Sequence, residues 1–350
     1  MRIMHFLNHT RPSNGHVNVA VDLACVQSRM GHSVSVVSGG GAFDSIFHAH
    51  GVSHILIDQK RTLSNLIKAV CKLHSTVFSI SPDIIHAHMM TSAVLAFLLR
   101  RFMKFKLVTT VHNEFEKAAI IMGLGDQVIA VSEAVADSME RRGVKRSKMS
   151  VVLNGTIGSP RLTTATPPAK DLRRPAILFV GGLHPRKGVD DLITAFKMVC
   201  TRVPEAFLYL VGDGPYRDTY EKTASQTGFG ERILFCGFQP DPRPYFLGSD
   251  IFVLASHAEP GALVLPEARE AGCAIIATSV GGIPEMLDGG RAGVLVSPQR
   301  PDLLANAIER VLSDKVLLAD LRGRSRLDLQ RFRVDRAAKE CESVYNSVLG

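Results

Sequence analysis

Short apolar runs rich in β-branched residues alternate with helical patterns along almost the whole chain. This alternation leaves few folds open. A short, continuously apolar run is a strand buried on both faces, and strands separated by helices form a parallel sheet that those helices cover. RIMHFLN (2–8) is the first run; a polar loop, TRPSNGH (10–16), and a helical pattern closed by glycine, VNVAVDLACVQSRMG (17–31), follow it. SVSVVSGGG (33–41), DIIHAHM (83–89), KLVTTVH (106–112), DQVIAV (126–131) and MSVVLNG (149–155) are further strand candidates. His86 and His88 read as packing residues of their strand.

The alternation stops at GTIGSPRLTTATPPAKDLRRP (155–175), a Thr-, Pro- and Gly-rich stretch without apolar period. It restarts with AILFVGG (176–182), a helix at 188–201, AFLYLVG (206–212), RILFCG (232–237), DIFVLAS (250–256), AIIATSVGG (274–282) and GVLVS (293–297). At 350 residues the chain suits two domains. The expected organisation is a first Rossmann-like, doubly wound domain over 1–157, a linker over 158–174 and a second Rossmann-like domain over 175–334. A final helix, 335–350, is expected to join the first domain.

Several function classes are disfavoured. The six cysteines show no CxxC or Cys/His cluster, which argues against a disulfide framework or zinc site and for a cytoplasmic chain with reduced thiols. MRIMHFLNHT is broken by His5, Asn8 and His9, so neither a signal peptide nor an anchor is expected. AVLAFLL (93–99) falls far short of the ~20 apolar residues of a spanning helix. Of the net charge of +8, residues 1–155 hold a surplus of seven, 17 Lys+Arg against 10 Asp+Glu. Without a recognition motif this surplus does not indicate nucleic acid. Lys60-Arg61, Lys68 and Lys72; Arg100-Arg101, Lys104 and Lys106; and Arg141-Arg142, Lys145-Arg146 and Lys148 form basic clusters. Phe97, Phe102 and Phe105 interleave with the second, a pattern suited to an anionic membrane surface.

Open parallel sheets bind ligands beyond the carboxyl ends of their strands, where the glycine-rich and polar segments of this chain fall. VGGLHPRKG (180–188) places Arg186 and Lys187 between a strand and a helix, where cations and amides can meet phosphate. In VGDGP (211–215), Gly212 and Gly214 permit close backbone approach. In EPGALVLPEAREAG (259–272), Pro260-Gly261 favour a turn, Pro266 fits a first helical turn and Gly272 a helix end. The amides of Gly261, Ala262, Leu263 and Val264 then become donors at a positive helix terminus, with Glu259 before the turn and Glu267 early in the helix. Carboxylates for hydroxyls beside amides for an anion suit a nucleotide sugar.

SNGH, PDIIHAH, VTTVHNEF, VIAVSEAV, VVLNG, VGGLHPRKG, LYLVGDGP, Glu259 with Glu267, and IATSVGGIPEML occur in one order and spacing. In these the chain resembles the retaining glycosyltransferases of family four over nearly all of 1–320. The resemblance implies the GT-B architecture, two Rossmann-like doubly wound domains facing a central cleft. It also implies metal-independent, cofactor-free transfer of a hexose from a nucleotide diphosphate sugar to an acceptor hydroxyl. The acceptor would be a lipid-linked, lipopolysaccharide or exopolysaccharide precursor, and the enzyme would be peripheral on the inner face of the cytoplasmic membrane. Glu267 resembles the carboxylate on the donor ribose, Glu259 the one near the donor sugar, and Lys187 the lysine on the diphosphate. His112 resembles the histidine facing the transferred sugar, Gly15 the entry-loop glycine, and the Leu263–Val264 amides those that hold sugar and phosphates. Gly182 stands where the family has an arginine, a loss for which Arg186 would compensate. Gly261 stands one position early, and Arg269 replaces an apolar helix residue. A nucleotide-sugar epimerase on the same fold, turning over donor without acceptor, and a non-catalytic nucleotide-sugar-binding module are the alternatives.

Overall fold

Every strand pairing among the described residues is parallel. The structure is a computed structural model describing residues 1–12, 14–57, 63–162 and 165–350, the side chains of 63–67 excepted. Ser13 of the entry loop, the Lys60-Arg61 pair and Thr163-Thr164 of the expected linker lie outside these residues. The chain divides into two units: Met1–Leu162 with Gln330–Gly350, and Thr163–Leu329.

The first unit runs β1 (Arg2–Phe6), α1 (Gly15–Arg29), β2 (Ser33–Ser38), α2 (Asp44–Ala49), β3 (Ser53–Leu56), α3 (Leu63–Ile80), β4 (Ile84–Ala87), α4 (Met90–Leu99), β5 (Lys106–Val111), β6 (Gln127–Ala130), α5 (Glu133–Arg141) and β7 (Met149–Val151). Its sheet order is β3-β2-β1-β4-β5-β6-β7. Ile3, Met4, Phe6, Ile84 and Ile85 are fully buried, because parallel strands need crossover helices on both faces. The edge strand β3, SHIL, has no continuous apolar run and is half-exposed, so it gives no signal in the sequence.

The second unit runs β8 (Ala176–Val180), α6 (Val189–Cys200), β9 (Phe207–Val211), α7 (Arg217–Ser225), β10 (Ile233–Gly237), α8 (Arg243–Gly248), β11 (Ile251–Leu254), α9 (Val264–Ala271), β12 (Ala274–Thr278), α10 (Ile283–Met286), β13 (Val294–Val296), α11 (Pro301–Ser313) and α12 (Lys315–Ser325). Its order is β10-β9-β8-β11-β12-β13. The chain then returns to the first unit as α13 (Val334–Leu349). Val334, Ala337, Ala338, Cys341, Val344 and Tyr345 form a buried stripe at helical spacing that joins α1 and one face of the first sheet in a single core.

The stretch expected as a linker is bonded to structure at both ends. Asp22, buried on α1, accepts from Ser159 Oγ at 2.8 Å and from Arg161 Nε and Nη2 at 2.9 and 3.0 Å. Further on, Lys170 N donates to the Pro244 carbonyl at 2.8 Å. Buried polar groups need such partners, and the segment supplies them without any apolar period.

Arg269, which sequence pattern leaves without a role, is an anchor. Its side chain is fully buried on α9. Nε donates to the Ser325 carbonyl at 3.0 Å, Nη1 to the Met286 carbonyl at 2.6 Å, and Nη2 to the Leu327 carbonyl at 2.6 Å and Asp288 at 3.0 Å. One guanidinium thereby satisfies the ends of α10 and α12. Replacing Arg269 by Met takes the guanidinium away from Asp288 and from three buried carbonyls, and should cost the second unit about 3–5 kcal/mol, read as an earlier urea transition monitored in that unit.

Candidate functional site

Each sheet has a point where strand order reverses, between β1 and β4 in the first unit and between β8 and β11 in the second. Loops leaving the two strands there go opposite ways and open a crevice at their carboxyl ends. The predicted site residues gather at these two places.

In the second unit the chain leaves β8 through Gly181–Leu183 and a tight turn, Pro185–Lys187. Gly188 ends the turn at φ 64° and begins α6; a Cβ there would stand 1.9 Å from the Ala255 carbonyl oxygen, so only glycine fits. This contact lays the loop against the one following β11. His257 N donates to the Arg186 carbonyl at 2.8 Å, and His257 Nε2 meets Asp191 at 2.7 Å. Arg186 Nη1 donates to the Ala258 carbonyl at 3.4 Å. Lys187 Nζ donates to the Glu259 carboxylate, which also accepts from Ser256 Oγ at 3.2 Å. The lysine side chain is 15% exposed and the glutamate 6%, so the pair is largely withdrawn from water. The Glu259 carbonyl accepts from Gly282 N at 2.9 Å, which ties in the loop after β12.

Just past Glu259, the amides of Gly261, Ala262, Leu263 and Val264 donate to no backbone carbonyl among the described residues, and no side chain caps α9. Gly272 closes that helix at φ 75°. Glu267 is half-buried in its first turn. Four free donors at a helix start attract an anion.

Gly212 and Gly214 lie in the turn after β9. The close approach visible there is to the chain's own backbone: Cβ atoms would stand 1.9 Å from the Gly181 oxygen and 2.4 Å from the Leu183 oxygen. The turn after β9 thus braces the loop after β8, with Leu183 N donating to the Asp213 carbonyl at 3.0 Å. A side chain at Gly182 would meet only the Asp213 oxygen, at 3.9 Å, so space does not forbid the missing arginine.

In the first unit, His5 on β1 and His86 on β4 are register partners and share a face; His88, Thr110 and His112 follow on that face at two-residue steps. Sequence reading reached His112 and took His86 and His88 as packing residues. It missed His5, Gln27 and Tyr345. Their signal was a polar residue recurring inside buried runs, HxH in β4 and its extension. His5 Nδ1 and His88 Nε2 are 2.9 Å apart, and His88 Nδ1 and His112 Nε2 3.0 Å. His5 Nε2 meets Gln27 Oε1 at 2.8 Å. His86 bonds Tyr345 Oη at 2.7 Å and Thr110 Oγ1 at 2.6 Å. Burial pushes His5 down to about 4 and, with His16 adding repulsion, His112 to about 3; His86 and His88 lie well below the usual imidazole range. All four are neutral at pH 7. A nitrogen from each of His5, His86 and His88 lies within 4.8 Å of the others, a spacing that suits a metal. All six of their ring nitrogens, however, already have the hydrogen-bond partners given above. Gly15 opens α1 in an exposed position, and the ring of His16 lies 5.9 Å from that of His112.

The family model for glycosyl transferases group 1 matches residues 163–328, and that for Glycosyltransferase Family 4 matches residues 13–156. The chain belongs to the family-four glycosyltransferases. The lipopolysaccharide core biosynthesis glycosyltransferase LpsE of Rhizobium meliloti is 30% identical to this family-four chain over 194 residues, 55% of this chain and 55% of that protein. N-acetyl-alpha-D-glucosaminyl L-malate synthase of Bacillus anthracis is 25% identical over 299 residues, 76% of this chain and 75% of that protein. The chain spans about half the length of relatives such as LpsE. Anabaena HepE, solved in complex with UDP and glucose, has a TM-score of 0.85 at 21% identity, covering 99% of this chain and 100% of that one. WaaG, a glycosyltransferase involved in lipopolysaccharide biosynthesis, has a TM-score of 0.79 at 14% identity, covering 98% and 99%. These likenesses establish the fold as GT-B, two doubly wound parallel-sheet domains.

The Lys187–Glu259 pair generates a stability prediction for the family-four chain. Lys187→Ala strands a buried carboxylate and should cost about 3–5 kcal/mol. Glu259→Gln in the same chain removes that charge and should recover most of the loss, as a double-mutant cycle of unfolding free energies will show.

Proposed function

We propose that the protein is a retaining hexosyltransferase that moves a sugar from a nucleotide diphosphate sugar to an acceptor hydroxyl. The observation that carries the reading is Lys187 held on Glu259 beside the free amides at 261–264. HepE, of the same fold, was solved with UDP and glucose, which supports a nucleotide-sugar donor. As the anomeric carbon–oxygen bond breaks, the diphosphate gains charge. In this reading Lys187, Arg186 and the α9 amides stabilise it, a task for which cationic side chains serve without a metal. Glu267 holds donor hydroxyls, while Glu259 orients Lys187 and stands near the sugar. The acceptor oxygen bonds the anomeric carbon on the face the diphosphate leaves, and the leaving phosphate oxygen takes the acceptor proton. No protein nucleophile is needed.

The acceptor is proposed to be a glycolipid, lipopolysaccharide or exopolysaccharide precursor, in line with LpsE and WaaG, both glycosyltransferases of lipopolysaccharide biosynthesis. A surface of the first unit supports delivery at the cytoplasmic face of a membrane. Phe78 and Phe102 are 74% and 79% exposed beside a groove of about 780 Å³ that Lys104 and Lys106 also line. Phe97 and Phe105, read from sequence as part of this face, instead pack against the core. The cluster at 141–148 is engaged internally: Arg142 on the Glu116 carbonyl, Arg146 on Glu133 and Lys148 on the Gly123 carbonyl. Among the described residues no helix is long and apolar enough to cross a membrane.

A panel of nucleotide sugars, incubated with and without cell-envelope acceptor, should release nucleoside diphosphate from one donor in an acceptor-dependent way. Lys187→Ala should slow that turnover by ~10²–10³, and Glu267→Ala should weaken donor binding in calorimetry. Release with none of the donors would remove the reading. In liposome flotation, Phe102→Glu should lose binding to vesicles rich in anionic lipid; binding that ignores both the substitution and lipid charge would sink the membrane proposal.

A further inference from the structure

The buried histidines form a line with a defined direction. At its inner end lies Gln27, whose Oε1 can only accept; its Nε2 donates to Tyr345 Oη at 3.2 Å. His5 Nε2, 2.8 Å from Gln27 Oε1, must therefore carry a hydrogen. A neutral imidazole carries one hydrogen only, so His5 Nδ1 is bare. It accepts from His88 Nε2–H at 2.9 Å, which leaves His88 Nδ1 bare in turn. His88 Nδ1 accepts from His112 Nε2–H at 3.0 Å. Tyr345, already accepting from Gln27, turns its own hydrogen to His86 Nδ1, and His86 Nε2–H passes to Thr110 Oγ1. Every ring nitrogen in the line is satisfied except the last, His112 Nδ1, which bonds no protein group among the described residues.

We propose that Gln27, acting through His5 and His88, sets the tautomer of His112, with hydrogen on Nε2 and a bare lone pair on Nδ1. Gln27, His5 and His88 are positioning residues; none of them needs to touch substrate. Burial keeps the rings neutral, so the line has no spare proton with which to change state. Turning the Gln27 amide over would invert each ring in succession, which makes Gln27 the control point. The consequence for substrate rests on the proposed sugar transfer. A bare Nδ1 accepts a hydrogen from a sugar hydroxyl and repels a carboxylate, so His112 selects a neutral sugar over a uronic acid at the position it faces.

The test is two-bond proton–nitrogen correlation NMR on the full chain carrying isotope-labelled histidine, with no substrate added. His112 is assigned by the signal that disappears in His112→Asn. The expected spectrum shows His112 protonated at Nε2 and bare at Nδ1. Gln27→Leu removes the acceptor and should mix or invert that pattern three residues along the line. Gln27→Glu restores an acceptor that has no amide to turn over, and should restore the pattern. A native spectrum with hydrogen on His112 Nδ1 overturns the proposal, whether or not Gln27→Leu folds. An unchanged His112 signal in folded Gln27→Leu overturns it too. In the transfer assay, Gln27→Leu should lower kcat/KM for the neutral donor ~10-fold, the worth of one neutral hydrogen bond, with nucleoside diphosphate affinity unchanged. Absence of transfer from every nucleotide sugar would strike the proposed function alone, since the spectrum judges the tautomer without substrate.

Discussion

Parallel pairing is the constraint from which the rest of this structure follows. A parallel strand cannot be reached by a tight turn, so each connection must cross the sheet, and a helix is the economical way to satisfy backbone groups during the crossing. Helices then cover both faces, and the strands must be largely apolar. Because every strand runs the same way, every βα loop emerges at one edge, and where strand order reverses two neighbouring loops diverge. The chain builds this twice, at β1/β4 and at β8/β11. Backbone donors and charged side chains gather at those edges, because most of the sheet elsewhere is sealed by apolar side chains.

What the edges carry is held by backbone geometry more than by side-chain packing. Gly188 lets the loop after β8 touch the loop after β11, and only through that touch does Lys187 reach Glu259. The turn at Gly212–Gly214 braces the same loop from the side of β9. Arg269, on the helix that begins with the free amides, is fixed from behind by three carbonyls and Asp288. The amides at 261–264 donate to no backbone carbonyl among the described residues, while the loops and helix beside them are held in place. For the proposed donor diphosphate this amounts to preorganisation, with donors in place before the anion and little left to rearrange.

The first unit places a polar layer where a parallel sheet normally allows none. His5, His86 and His88 are buried among aliphatic residues, and each is tolerated because its two nitrogens are both bonded. α13, contributed by the chain's far end, is part of that solution, since Tyr345 links Gln27 to His86. The helix is therefore more than a cover for the first core; it completes the hydrogen bonding of the buried strands.

Amino-acid order alone determined the class of fold, because the apolar runs and their spacing are local properties that survive without any knowledge of packing. It also determined the family's motifs, including Lys187, Glu259, Glu267 and His112, since these sit at fixed offsets from strand ends. It was silent on β3, whose half-exposed edge has no apolar run, and it misjudged Phe97 and Phe105, whose direction depends on what α4 packs against. Arg269 was unreadable because its partners lie 17 to 58 positions away. The histidine line was hidden for the same reason. A hydrogen bond between residues as far apart as Gln27 and Tyr345 exists only once α1 and α13 have packed together, and a tautomer is a property of the bonded line, not of any residue in it.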